Sequence, residues 1–319
     1  MKNCFESPRR QLPPIVAVTF AAALWVIPLT HDAWLDVAVV AVEPAAVELQ
    51  QLTRDGFLKQ RPAWSPDGRW LLFTRVTSDS LYLYKLDSTT GEQTRVTENK
   101  IPEFDAVWSP DQQRIAFSLD TLSGQQGDVN VVISKIDGTD LQPFAGPGDK
   151  LSHEEGAAYS PDGKWLAFTS TREGNQELFV KRLDGQQELR LTSDPCLDAH
   201  PCWSPDGTRI AFATDRWGDL ELAVINADGS QLIRLTESAG LDDEPSWSPD
   251  GKRLAFTSNR DGNFEVYLLK LATRAAINVS RQEALDNFPA WRPDGRLGFV
   301  SNRDGGFEFY ELPASAAAD

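Results

Sequence analysis

Apolar residues along this chain fall in short runs of about four to eight positions, each closed off by Pro, Gly, Asp or Asn. Arg253-Leu254-Ala255-Phe256-Thr257 and Glu265-Val266-Tyr267-Leu268 are typical. Short runs rich in β-branched and aromatic residues between turn formers predict strands, not helices. Their order repeats. Ser-Pro-Asp-Gly recurs at Ser65–Gly68, Ser160–Gly163, Ser204–Gly207 and Ser248–Gly251, with variants at Ser109–Gln112 and Arg292–Gly295. An aromatic precedes each one (Trp64, Trp108, Tyr159, Trp203, Trp247 and Trp291), at spacings of 44, 51, 44, 44 and 44.

Each repeat reads as four strands. The aromatic ends the first. In the turn that follows, Pro presets φ, Asp bonds its own backbone and Gly takes a positive φ. The second strand carries a Phe column, Phe73, Phe117, Phe168, Phe212, Phe256 and Phe299, and an Asp/Gly/Asn turn leads to the third. The fourth closes on Leu-Thr or its equivalent, as in Val96-Thr97, Leu191-Thr192, Leu235-Thr236 and Val279-Ser280. Four strands in roughly 40–45 residues is a propeller blade, so the fold class is all-β, a six-bladed β-propeller of four-stranded blades. The Trp and Phe columns are its expected core.

The last repeat has three strands and then ends in Ala-Ser-Ala-Ala-Ala-Asp; its fourth strand stands at the other end. Thr53 of Leu49-Gln50-Gln51-Leu52-Thr53 precedes Trp64 by eleven residues, as Thr97 precedes Trp108 and Thr236 precedes Trp247. This N-terminal strand is expected to complete the sixth blade and remove the open edge. The domains are then 1–46 (signal or anchor plus linker), 47–312 (propeller) and 313–319 (tail). The second repeat carries seven extra residues, expected in the loops Leu119–Asn130 and Gly146–Leu151.

Ahead of the repeats, Lys2, Arg9 and Arg10 precede an uncharged run from Leu12 to Thr30, and His31, Asp32 and Asp36 follow it. At about 1.5 Å per residue the run nearly crosses a hydrocarbon core of roughly 30 Å. Positive charge before it and acid after it predict export to the periplasm or cell envelope. The segment serves either as a cleaved signal peptide or as an inner-membrane anchor over residues 12–30.

The string Pro245-Ser246-Trp247-Ser248-Pro249-Asp250-Gly251-Lys252-Arg253-Leu254-Ala255-Phe256-Thr257-Ser258-Asn259-Arg260-Asp261-Gly262-Asn263 resembles the repeat of TolB-type propellers, and the resemblance extends over residues 47–312. TolB carries a further α/β domain ahead of its blades, whereas about 46 residues precede them here. The resemblance implies a non-catalytic, exported propeller that binds a protein or peptide, with an envelope lipoprotein or another envelope component as candidate partner. Similar propellers are the sensor regions of membrane-anchored signalling and transcriptional regulators, which is the alternative. Others precede the hydrolase domain of prolyl peptidases.

Charge narrows the partners. A formal net charge of −16 repels phosphate backbones, which excludes nucleic acid and suits a basic peptide, a basic protein face or a divalent cation in the channel. The propeller is expected to be monomeric. No Gly-x-Ser-x-Gly elbow, His-Glu-x-x-His or phosphate-binding glycine loop occurs, and no room follows Leu312 for a hydrolase domain, so no catalytic residue or resident cofactor is expected. A lyase or hydrolase would have to draw on carboxylates in the channel. Cys4, Cys196 and Cys202 make no disulfide framework, although Cys196 and Cys202 could close a small loop in an oxidising compartment. Turn formation accounts for Asn259–Asn263 and Asn302–Gly306 without calcium.

Two columns are candidates for binding. Five residues before each aromatic stand Lys59, Glu103, Glu154, Asp198, Asp242 and Asp286. They are expected at one mouth of the channel, either as a ring that holds a cation or a Lys/Arg side chain, or as caps of the turns entering the strands. Three residues before the aromatic stand Arg61, Asp105, Gly156, His200, Glu244 and Phe288. A column that the fold required would repeat; this one varies, as a binding surface does.

Overall fold

The computed structural model describes residues 49–121, 128–145 and 152–315. They form six four-stranded antiparallel sheets. The innermost strands are Leu58–Trp64, Glu103–Trp108, Glu154–Tyr159, Asp198–Trp203, Asp242–Trp247 and Asp286–Trp291. No helix among the described residues is long and apolar enough to cross a membrane, and residues 12–30 lie outside them.

The turn after each innermost strand shows why Ser-Pro-Asp-Gly recurs. The Ser65 hydroxyl donates to Asp67 Oδ1 at 2.6 Å, the Arg69 N–H donates to the same oxygen at 3.0 Å, and the Trp70 N–H donates to Ser65 Oγ at 2.9 Å. The same bonds recur around Ser109, Ser160, Ser204 and Ser248. They hold the aspartates below the usual carboxylate range, the serine hydroxyl contributing most, with Asp206 at about 2. Gly closes the turn at φ near +70°, as at Gly68 and Gly207. Blade 2 places Gln112 there instead, at φ +59°. Gln112→Gly is expected to stabilise by about 1 kcal/mol, seen as a melting temperature higher by roughly 2–4 °C.

Six apolar clusters hold the ring, each shared by two neighbouring blades. Ala211 and Leu222 of blade 4 pack with Trp247 and Phe256 of blade 5, and Trp64 and Phe73 of blade 1 pack with Val300 and Phe309 of blade 6. The Phe column is fully buried. The Trp column adds polar ties between blades: Trp108, Trp203 and Trp247 donate their indole N–H to the carbonyls of Ala63, Ala158 and Cys202 one blade back, at 3.0–3.2 Å.

The ring closes as the two ends of the chain require. Gln50 pairs with Glu311 and Gln51 with Tyr310, and the Leu52 N–H donates to the Phe309 carbonyl at 2.8 Å. Thr53 also does what its counterparts do. Its Oγ1 accepts from the Phe309 N–H at 3.0 Å, as Thr192, Thr236 and Ser280 accept from Leu178, Leu222 and Val266 at 2.9 Å. Its hydroxyl donates to buried Glu308, as that of Thr236 does to Glu221.

Two expectations need correction. Part of the blade 2 insertion lengthens strands, with Asp120 paired to Val129 and Thr121 to Asp128; the extra residues are not confined to loops. Cys202 is a free thiol, so no disulfide joins it to Cys196.

Candidate functional site in the axial cavity

Every innermost strand carries a bulge at the same place. Register shifts fall between Gln60 and Ala63, Phe104 and Val107, Glu155 and Ala158, Ala199 and Cys202, Asp243 and Ser246, and Asn287 and Ala290. The next residue in four of the six, Pro62, Pro201, Pro245 and Pro289, has no N–H to give a ladder, and a bulge is where a strand tolerates that. The bulged residue adopts a left-handed backbone: Arg61, Asp105, Gly156, His200, Glu244 and Phe288 have φ between +47° and +65°. Only one of these is glycine. For an L-residue this conformation costs roughly 1–2 kcal/mol, so five side chains are held at a position that the backbone would cede to glycine.

Those six residues, with the small and proline residues that follow them, line a cavity of about 240 Å³ on the propeller axis. Its wall is polar at the bulges and apolar beyond, where Ala63, Val107, Ala158 and Cys202 stand. Burial pushes the Cys202 thiol up, so it is no thiolate.

At the polar end an ion network spans four blades. Arg61 Nε is 3.0 Å from Asp105 Oδ1, and its Nη2 is 2.9 Å from Glu244 Oε1 and in contact with His200 Nε2. His200 Nδ1 lies 2.5 Å from Asp243 Oδ1 and 3.6 Å from Glu244 Oε1. A guanidinium only donates, so in the neutral ring Nε2 accepts from Arg61 and the proton sits on Nδ1, donated to Asp243. Burial and Arg61 both push His200 toward its neutral form; Glu244 and Asp243 outweigh them, and its pKa lies above the ordinary histidine value. Burial, only partly offset by Arg61 and His200, holds the Glu244 carboxyl above its usual range. For Asp243 burial is outweighed by His200 and Arg61, and its pKa falls. Three carboxylates thus face one guanidinium and one imidazole.

The column two residues earlier does not line the cavity. Lys59, Glu103, Glu154, Asp198, Asp242 and Asp286 are all fully buried. Four of them are answered by an arginine from the next hairpin turn of the same blade: Glu154 by Arg172 at 3.5 Å, Asp198 by Arg216 at 2.7 Å, Asp242 by Arg260 at 2.7 Å and Asp286 by Arg303 at 3.0 Å. Each arginine also lies 5.4–5.7 Å over the Phe of its blade, Phe168, Phe212, Phe256 or Phe299. The expected ring of open carboxylates is therefore a set of closed, structural ion pairs, and the arginines of Asn259–Asn263 and Asn302–Gly306 belong to it. Glu103 takes hydrogen bonds from Thr97 and Asn99 instead, and burial raises its pKa. Lys59 reverses the sign and pairs with Asp55 and, at 2.9 Å, with Glu308.

Of the residues expected at the site, Arg61, Asp105, His200 and Glu244 come together. Asp243 and Glu155, the latter bonded to Gln176 at 2.8 Å and close enough to act on Arg61, belong to it unforeseen. Strict alternation turns them away from the axis; the bulge breaks that alternation, and its signal is the recurring proline two residues before the aromatic.

A family model described as the TolB beta propeller domain matches residues 125–243 and 236–318. An uncharacterized protein of Agrobacterium fabrum is 30% identical over 142 residues, which are 43% of this chain and 44% of that one. The Tol-Pal system protein TolB of Francisella tularensis is 26% identical over 125 residues, 39% of this chain and 27% of that protein. The matches thus span less than half the length of either relative. Among solved structures, TolB from Acinetobacter baumannii superposes with a TM-score of 0.63 at 20% identity, over 78% of this chain and 64% of that one. The tricorn protease shares the fold at a TM-score of 0.64 and 15% identity, over 82% of this chain and 26% of that one.

Proposed function

The chain belongs to the TolB beta propeller domain family, and on that premise we propose that it is a non-catalytic, exported propeller that takes a protein or peptide segment at the polar end of its axial cavity. The carrying observation is the ring of bulges. Five blades keep a non-glycine residue at positive φ, and all six residues line the same cavity with chemically different side chains. Backbone strain retained at matched positions, with no repeating side chain to serve the fold, is what a recognition surface requires. Three carboxylates against one guanidinium, within a chain of net charge −16, favour a partner with a basic segment. The likeness to Tol-Pal system proteins supports a partner in the cell envelope, an envelope lipoprotein among the candidates.

The test is affinity capture from an envelope extract with the wild-type propeller and with Asp105→Asn/Glu244→Gln, both shown to melt alike. The double variant is expected to retain the partner at least tenfold less well, a loss of about 1.4 kcal/mol or more. Equal capture of the same partners by both proteins would remove the cavity from consideration.

A further inference from the structure

We propose that His200, Asp243 and Glu244 form a site for one divalent first-row ion of zinc-like ligand preference, and that Arg61 and this ion exclude one another. Among the described residues these three are the cluster whose ligand atoms, one per residue, all lie within 4.8 Å of each other. An ion bound tetrahedrally at about 2.0–2.2 Å sets its ligand atoms roughly 3.4 Å apart. His200 Nδ1 and Glu244 Oε1 already stand at 3.6 Å, and the 2.5 Å contact of Nδ1 with Asp243 Oδ1 has only to open by about 1 Å. His200 and Glu244 sit on equivalent bulges of adjacent blades and Asp243 is the residue beside one of them, so the backbone presents all three in advance. One imidazole and two carboxylates suit zinc, iron or manganese better than calcium or magnesium, which take oxygen ligands.

Exclusion follows from counting donors. The Arg61 contact requires an unprotonated Nε2, which leaves the proton on Nδ1. Coordination through Nδ1 moves that proton to Nε2, where N–H confronts a guanidinium that can only donate. Coordination through Nε2 takes Arg61's place outright. Arg61 also occupies Glu244 Oε1 at 2.9 Å, an oxygen the ion needs. Displaced, Arg61 keeps its ion pair with Asp105 at 3.0 Å, while Glu155 of blade 3 retains its attraction for it. The guanidinium thus stands in for the cation when no ion is bound, and the two states differ in which charge neutralises Glu244.

The experiment uses tag-free protein stripped with chelator. Zn²⁺ and Ca²⁺ are titrated calorimetrically, and Co²⁺ is followed by its visible absorption. One Zn²⁺ per chain is expected, bound at least a hundredfold more tightly than Ca²⁺. His200→Ala and Asp243→Asn should each weaken Zn²⁺ by tenfold or more and abolish the Co²⁺ band, and Arg61→Met should tighten Zn²⁺ by tenfold or more. Melting temperatures identify any variant that fails to fold, and the near-isosteric Asp243→Asn carries the test if His200→Ala does. The proposal is overturned by no binding to wild type or Arg61→Met, by unchanged Zn²⁺ affinity in a folded His200→Ala or Asp243→Asn, by Ca²⁺ binding as tightly as Zn²⁺, or by an Arg61→Met affinity equal to wild type. The readout needs no partner, so its failure would leave the peptide-binding proposal standing.

Discussion

A chain lacking residues 47–53 is expected to be insoluble or unfolded. The deletion removes the pairs Gln50–Glu311 and Gln51–Tyr310 and the Leu52–Phe309 bond, and it bares the edge of Glu308–Leu312, a strand of five buried residues. It also takes Thr53 from Glu308, leaving a buried carboxylate with less than its full set of partners. An unsatisfied buried group costs about 1–3 kcal/mol, and the open apolar edge recruits other chains. Size-exclusion chromatography with circular dichroism decides the matter, and a folded, monomeric deletion product would contradict the closure. Thr53→Val tests one component alone and should cost about 1–3 kcal/mol by the same reasoning.

The second large effect is expected at the buried ion pairs. Arg260→Ala leaves Asp242 fully buried without a counter-charge, held only by the Ser238 hydroxyl at 3.3 Å, removes the guanidinium from the face of Phe256, and should cost about 3–5 kcal/mol in denaturant unfolding. That is a large share of the roughly 5–15 kcal/mol that holds a typical domain together. Replacing both partners by apolar residues, as in Asp242→Leu/Arg260→Leu, should recover most of the loss, because it is the orphaned charge and not the missing attraction that costs. A single variant as stable as wild type would show that Asp242 finds protons or water in the fold.

The blade count, the strand order, the closing strand and the aromatic core were legible in the sequence because each rests on a residue that recurs once per blade. Repetition makes a position visible whatever its environment. The varying column of Arg61, Asp105, His200 and Glu244 was also found as the candidate surface, by the inverse reasoning that the fold does not demand it. The acidic column is legible at the start of the innermost strands, but neither of its two readings, an open ring or turn caps, names the partners it has in the fold. Its arginine partners lie 17 or 18 residues further on, in turns read only as Asn, Asp and Gly formers, and an ion pair formed across a hairpin leaves no mark within either segment. Asp243 belongs to neither of the two columns counted back from the aromatic, and in an unbroken strand its position would face away from the axis. A bulge adds one residue to a strand without changing the repeat length, and only the prolines at positions 62, 201, 245 and 289 betray it.

Those bulges also restrict what the cavity can become. A left-handed backbone admits glycine freely, admits residues with an unbranched β-carbon at some strain, and all but excludes valine, isoleucine and threonine. The six residues found there, Arg61, Asp105, Gly156, His200, Glu244 and Phe288, obey that restriction without exception. Charge, aromaticity and length are therefore open to change at each position independently, one blade at a time, while stiff β-branched side chains are shut out of the ring. Substituting threonine at any of the six should be a folding lesion, whereas exchanging one unbranched side chain for another leaves the bulge intact and alters the charges that meet in the cavity.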